Sequence, residues 1–202
     1  RRLIYELEWE EFRLPDVSAK AGNWLVLGDP AEESAARLAE ELEAAGQQCQ
    51  TAEFENLAAC IDPESPPVGI VCLLSDNTRV SCEGLLNLVQ QLQAANIHEL
   101  ACGMTLITRY GVAVASGESC EPDQSKYWGL GRVIGAERPG LRCRILDVDS
   151  AAPLSQMVEF LRAETRDNQF ALKSGTFFVP RMKAQSHQDR AQNNGASKPQ
   201  QP

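Results

Sequence analysis

Few residues of this chain have the types and spacing that chemistry requires. Asn23–Asp29 (NWLVLGD) reads as a buried strand running into a helix, where a dinucleotide site places a glycine-rich phosphate loop. That loop uses three glycines: for the tight turn, for close approach of the pyrophosphate and for helix–strand packing. Gly28 fills the first position, but Pro30 and Glu33 occupy the other two. Asp29, Glu32 and Glu33 add negative charge at a helix N-terminus that would otherwise attract phosphate. The expected result is a cofactor fold without its cofactor.

Other candidate groups have simpler roles. Asp147 and Asp149 bracket Val148 at a strand end, with no third ligand near them in sequence. Paired carboxylates can hold Mg²⁺ or move protons, yet capping of the helix after Pro153 is the expected duty. Ser116, Ser119 and Cys120 offer nucleophilic atoms, but no histidine is placed by sequence to activate them. The seven cysteines contain no C-x-x-C pair, and the only histidines are His98 and His187, so no metal site is expected. His98 is expected to end a helix. Trp24 and Trp128 are expected as core anchors, and Trp9 lies on a strand that could join a neighbouring sheet.

The elements that must position these residues follow from periodicity. Leu3–Trp9 alternates, with Leu3, Tyr5, Leu7 and Trp9 on one face, as a half-exposed strand should. Trp24–Leu27 is a continuous apolar strand. Asp29-Pro30-Ala31-Glu32 reads as an N-cap, a first-turn proline and an acid. The helix that follows carries Ala35, Leu38, Ala39 and Leu42 on one stripe and stops at Gly46. Cys49–Phe54 and Val68–Leu74 read as strands, and Ser81 caps a helix with Leu85, Leu88, Val89 and Leu92 at helical spacing. Met104–Ile107 is a strand and Tyr110–Ala115 its extension across a turn. Pro122–Glu137 is a helix, Arg144–Val148 a strand, and Leu154–Leu161 an amphipathic helix. Phe170–Leu172 and Thr176–Val179 form a hairpin around Lys173-Ser174-Gly175. Strands alternating with helices predict a truncated Rossmann-like α/β fold with a mostly parallel sheet. Residues 1–182 form that domain, and 183–202, rich in Gln, Asn and Ser, are expected to be a disordered linker or tail.

Composition narrows the partners. A net charge of -9 argues against nucleic acid, whose phosphates need clustered Lys and Arg. No apolar run reaches the roughly 20 residues that span a bilayer. The unpaired cysteine count suits a reducing cytoplasmic compartment. The chain starts without methionine, as a piece cut from something longer would.

A family resemblance rests on Leu3–Trp9 (LIYELEW), Trp24–Asp29 (WLVLGD) and above all Tyr127–Pro139 (YWGLGRVIGAERP), followed by Leu146–Asp149 (LDVD) and Phe178–Arg181 (FVPR). These segments resemble the N-terminal half of a ketoreductase domain from modular type I polyketide synthases, a relative of the short-chain dehydrogenases/reductases. The resemblance implies a structural subdomain that binds no cofactor and supports a second half. That partner half would bind NADPH and reduce a β-ketoacyl chain on the acyl carrier protein. It also implies partners in cis, the catalytic ketoreductase subdomain and other synthase domains. Reductase chemistry of this kind uses a tyrosine acid with a lysine four residues on. Trp9, Val114 and Gly131 stand four residues beyond Tyr5, Tyr110 and Tyr127. No activity is expected from this chain alone. The expected seam with the partner comprises Tyr5, Leu7, Trp9, Trp128, Gly129, Gly131 and Arg132, with the helix glycines allowing close packing. Alternatives are a pseudo-ketoreductase remnant within a module, a stand-alone interaction or regulatory module of the same fold, and, least favoured, an independent NAD(P)-dependent reductase.

Overall fold

The computed structural model describes residues 5–16, 21–29, 32–54, 60–74 and 81–184. Eight strands form one sheet: β1 (Tyr5–Phe12), β2 (Asn23–Leu27), β3 (Gln48–Ala52), β4 (Gly69–Leu74), β5 (Gly103–Arg109), β6 (Arg144–Val148), β7 (Gln169–Lys173) and β8 (Thr176–Ala184). Their order is β1-β8-β7-β6-β5-β4-β2-β3. Strands β2 to β7 are parallel to their neighbours, and only β7–β8 and β8–β1 are antiparallel. The helices are α1 (Ser34–Ala44), α2 (Cys82–Ala94), α3 (Pro122–Glu137) and α4 (Leu154–Arg162).

The continuous apolar strands are explained by burial on both faces, which parallel sheets require. Leu25 and Leu27 of β2 join one core with Leu88 of α2 and Trp128 of α3. Trp24 and Val26, their alternating neighbours, join the opposite core with Leu38 of α1 and Phe160 of α4. The helix stripes read from sequence bury Ala35, Leu38, Ala39 and Leu42, then Leu85, Leu88, Val89 and Leu92. Ser81 caps α2, its Oγ accepting from the Gly84 N–H at 3.2 Å. Arg144 is a buried cation held by backbone: its guanidinium donates to the carbonyls of Phe160, Leu161 and Ala163, sealing the end of α4. The β7–β8 turn has Ser174 and Gly175 at φ 47° and 80°, the left-handed pair of a two-residue hairpin.

Six local expectations are corrected. β1 runs to Phe12, three residues further than the alternation suggested, because β8 pairs with its whole length; Leu3 and Ile4 lie outside the described residues. Helix α1 starts at Ser34 after an N-cap at Glu33 without a side-chain cap, since a turn from the Glu32 N–H to the Asp29 carbonyl comes first. Tyr110–Ala115 is no strand. Tyr110 has φ 55°, which turns the chain out of the sheet. His98 lies four residues past the end of α2 and is exposed. The helix after Pro153 takes no cap from Asp147 or Asp149. Strand β8 extends to Ala184, and the tail from 185 lies outside the described residues.

Candidate functional site

Two hollows sit where a fold of this kind could bind something. The first lies at the carboxyl ends of β2 and β3, where open α/β sheets place ligands. It encloses about 430 Å³, and Gly28, Asp29, Glu32, Thr51 and Glu53 are among its lining residues. Gly28 is buried and its N–H donates to the Ala52 carbonyl at 3.2 Å. A side chain there would come within 2.9 Å of the Ala35 Cβ, so glycine is required by the packing of α1 on β2. Among the described residues, three carboxylates line this hollow and no lysine or arginine does. Glu53, at the end of β3, is of the type that receives a ribose diol, but Asp29 and Glu32 oppose a pyrophosphate. Among the described residues, the charges that line the crevice are of the wrong sign for a pyrophosphate.

The α3 tyrosine has no lysine one turn on. Tyr127 lies on the core face of α3 with 3% exposure, and burial pushes its phenol above the usual pKa. One turn on, Gly131 lies against the sheet: a Cβ there would approach Ile145 Cδ1 to 2.7 Å and Leu106 Cδ1 to 3.0 Å. Lys126 packs beside the Tyr127 ring at 5.1 Å and pairs with Asp123 at 3.6 Å.

A buried polar network, invisible in the sequence, sits beside the second hollow. Asp147 has no exposed surface. It accepts from Thr108 Oγ1 at 2.6 Å, the Gly111 N–H at 2.7 Å, the Val112 N–H at 3.4 Å and Lys173 Nζ at 2.6 Å. Thr108 Oγ1 in turn accepts from Trp128 Nε1 at 3.1 Å. Asp147 therefore holds both the loop after β5 and, through Thr108, the Trp128 ring. Asp149 instead accepts from the backbone N–H groups of Ala151 and Ser174, tying the hairpin turn to the end of β6. Lys173 stacks on the Tyr110 ring at 5.5 Å, and the Tyr110 hydroxyl accepts from the Ser150 N–H at 3.0 Å; hydrogen bonding from the Ser150 side chain first, and then from its N–H, lowers the phenol's pKa. Because the Lys173 ammonium already pairs with Asp147, this second tyrosine–lysine neighbourhood is a packing contact. Its partners are too far apart in sequence for spacing to suggest them.

The second hollow, of about 400 Å³, gathers five of the seven expected seam residues: Leu7, Trp9, Trp128, Gly129 and Arg132. Trp9 meets the Trp128 ring edge-on, centroids 6.0 Å apart. A Cβ on Gly129 would meet nothing within 4 Å, so the helix backbone forms an open floor. Arg132 is fixed by Nε and Nη2, which donate to Gln169 Oε1 at 3.0 and 2.7 Å. Tyr5 lies on the same strand face, 51% exposed, at the outer end of β1. Gly131 is the exception: it faces its own sheet. Leu7 and Met182, opposite one another across β1 and β8, are 55% and 71% exposed. Cys120 is an exposed thiol on the wall of this hollow. Cys72 and Cys143 are core thiols; burial pushes Cys143 up to about 12. No helix among the described residues is long and apolar enough to cross a membrane.

Comparisons with known proteins agree with this architecture. Phthioceranic/hydroxyphthioceranic acid synthase of Mycobacterium tuberculosis H37Rv is 26% identical over 202 residues, spanning 89% of this chain and 9% of that protein. Pikromycin polyketide synthase component PikAIII of Streptomyces venezuelae is 27% identical over 183 residues, spanning 84% of this chain and 11% of that protein. The chain thus spans about a tenth of the length of these relatives. Among solved structures, a C2-type ketoreductase from a modular polyketide synthase shares the fold with a TM-score of 0.70 at 24% identity, over 88% of this chain and 42% of that one. An A-type ketoreductase matches at 0.69 and 24%, over 90% and 42%. Residues 7–182 match the family model described as the Rossmann fold domain of the polyketide synthase extender module SpnB. With that match covering all four helices and all but the outer ends of β1 and β8, the chain belongs to this family of polyketide synthase Rossmann-fold domains.

Proposed function

We propose that this chain is a non-catalytic scaffold that braces the catalytic half of a polyketide synthase ketoreductase. In this reading the companion half, in cis, binds NADPH and reduces a β-ketoacyl chain carried by the acyl carrier protein. The observation that carries it is a contrast between the two hollows. The crevice at Gly28 is acidic, whereas an apolar face with Tyr5, Leu7 and Met182 exposed runs into a tryptophan-lined hollow. Apolar patches of this kind mark interaction surfaces. The solved ketoreductases that share the fold leave more than half of their own length outside the matched part. Interdomain interfaces bury about 600–1,500 Å². At roughly 25 cal/mol per Å² of apolar surface, burial of that order contributes several kcal/mol to holding a companion in shape.

The test is the melting temperature of the catalytic half, expressed with this chain attached and then without it. The expected outcome is a clear loss of thermal stability and of soluble yield when the chain is removed. Equal melting temperatures would count against the proposal.

A further inference from the structure

Resting on the scaffold reading, we infer that the hollow over Gly129 accepts a paired signal from the companion half: a bulky apolar side chain seated on the helix, beside a carboxylate that meets Arg132. The argument begins with charge. The chain carries -9 overall, yet Arg132 is the only charged residue among the described residues that line this hollow. Its Nε and Nη2 both donate to Gln169 Oε1, and none of its hydrogen bonds among the described residues goes to a carboxylate. A guanidinium offers five donors, so Nη1 remains available in an orientation already fixed by Gln169. Trp9, Trp128 and Pro180 wall the hollow, so a carboxylate arriving there would be partly removed from water, where such a pair discriminates between partners.

Shape supplies the second element. Gly129 is exposed and leaves open space above α3 in a hollow that Trp9 and Trp128 also line, the form of a socket for one large side chain. The occupant is assigned to the companion half because Ala184, the last described residue of β8, stands directly opposite Tyr5. Polypeptide C-terminal to β8 therefore starts at the margin of the same apolar face.

Cys120 provides the readout, since it is an exposed thiol on the wall of the hollow. Its alkylation rate is measured by mass spectrometry in the 202-residue chain and in the longer polypeptide that includes the catalytic half. Protection of about tenfold or more is expected in the longer polypeptide, lost in Arg132→Glu and in Gly129→Leu, and partly kept in Arg132→Lys. Arg132→Gln serves as a second variant should the charge reversal disturb folding, which the melting temperature of the 202-residue chain reports. Protection that survives Arg132→Glu and Arg132→Gln but is lost in Gly129→Leu overturns the carboxylate and leaves the scaffold standing. No protection in the unmodified polypeptide overturns this socket as the seam. The scaffold reading then stands or falls on the melting-temperature comparison alone.

Discussion

Asp147 accepts four hydrogen bonds in a place with no exposed surface, and one of its donors, Lys173, is itself only 12% exposed. Removing one partner of such a pair leaves an uncompensated charge in a poorly solvated site. Asp147→Asn is therefore expected to destabilise the chain by about 3–5 kcal/mol in urea unfolding, and adding Lys173→Met should recover part of that loss. At the surface, Asp167 is held by both Nη atoms of Arg181 at 2.7 and 2.9 Å, and this hydrogen bonding lowers its pKa below the usual carboxylate value. Its folded pKa lies below the unfolded one, so the pair's contribution is complete above the unfolded value, about 4, and is lost as pH falls through the folded value. Arg181→Met should make stability fall less steeply with acid below about pH 4, read from urea midpoints at a series of pH values. Neither partnership was legible in the sequence. The Asp147-Val148-Asp149 spacing drew attention to the right residues but suggested the wrong duty, because the Gly111 N–H that Asp147 captures is 36 positions away.

At the scale of elements, α3 shows how one helix can contain glycines with opposite reasons. Gly131 sits where a Cβ would press on Ile145 and Leu106, whereas Gly129 sits over open space. Gly129→Ala should stabilise the isolated chain by about 0.5–1 kcal/mol, since glycine in a helix interior is costly and nothing is displaced. Gly131→Leu should destabilise it by about 1–3 kcal/mol through overpacking against the sheet. Thermal melts of the two variants check the pair, and shifts of the same sign would contradict this assignment. The stripes of α1 and α2 were fully legible because their period reflects a single buried face. The segment after β5 departs from its sequence pattern for a local reason: Tyr110, Val112 and Val114 alternate as a strand would. The left-handed turn at Tyr110 and the carboxylate of Asp147 redirect it across the end of the sheet.

At the scale of the whole molecule, the sheet brings the two ends of the described chain together. β1 is an edge strand, and it is the pairing with β8 that lays Trp9 beside Trp128 and exposes Tyr5, Leu7 and Met182 on one side. At the far edge, the ends of β2 and β3 surround a crevice whose charges are all negative among its lining residues. With -9 on the chain as well, the long-range field also opposes a dinucleotide. Titration of the chain with NADPH, followed by cofactor fluorescence, should show no saturable binding at micromolar concentrations. A micromolar Kd would return the crevice to the list of working sites.

From the sequence alone came the α/β alternation, the helix stripes, the altered glycine loop and the absence of a lysine one turn after each tyrosine. These are local properties, written in the spacing of neighbours along a strand or a helix. Tertiary structure decided the rest: Asp147 as the central acceptor, Gly131 against its own sheet and Gly129 at an open floor, and Arg132 as the one charge among the described residues of an apolar hollow. Such features depend on sheet order and on register between strands far apart in the chain, and periodicity carries no information about either.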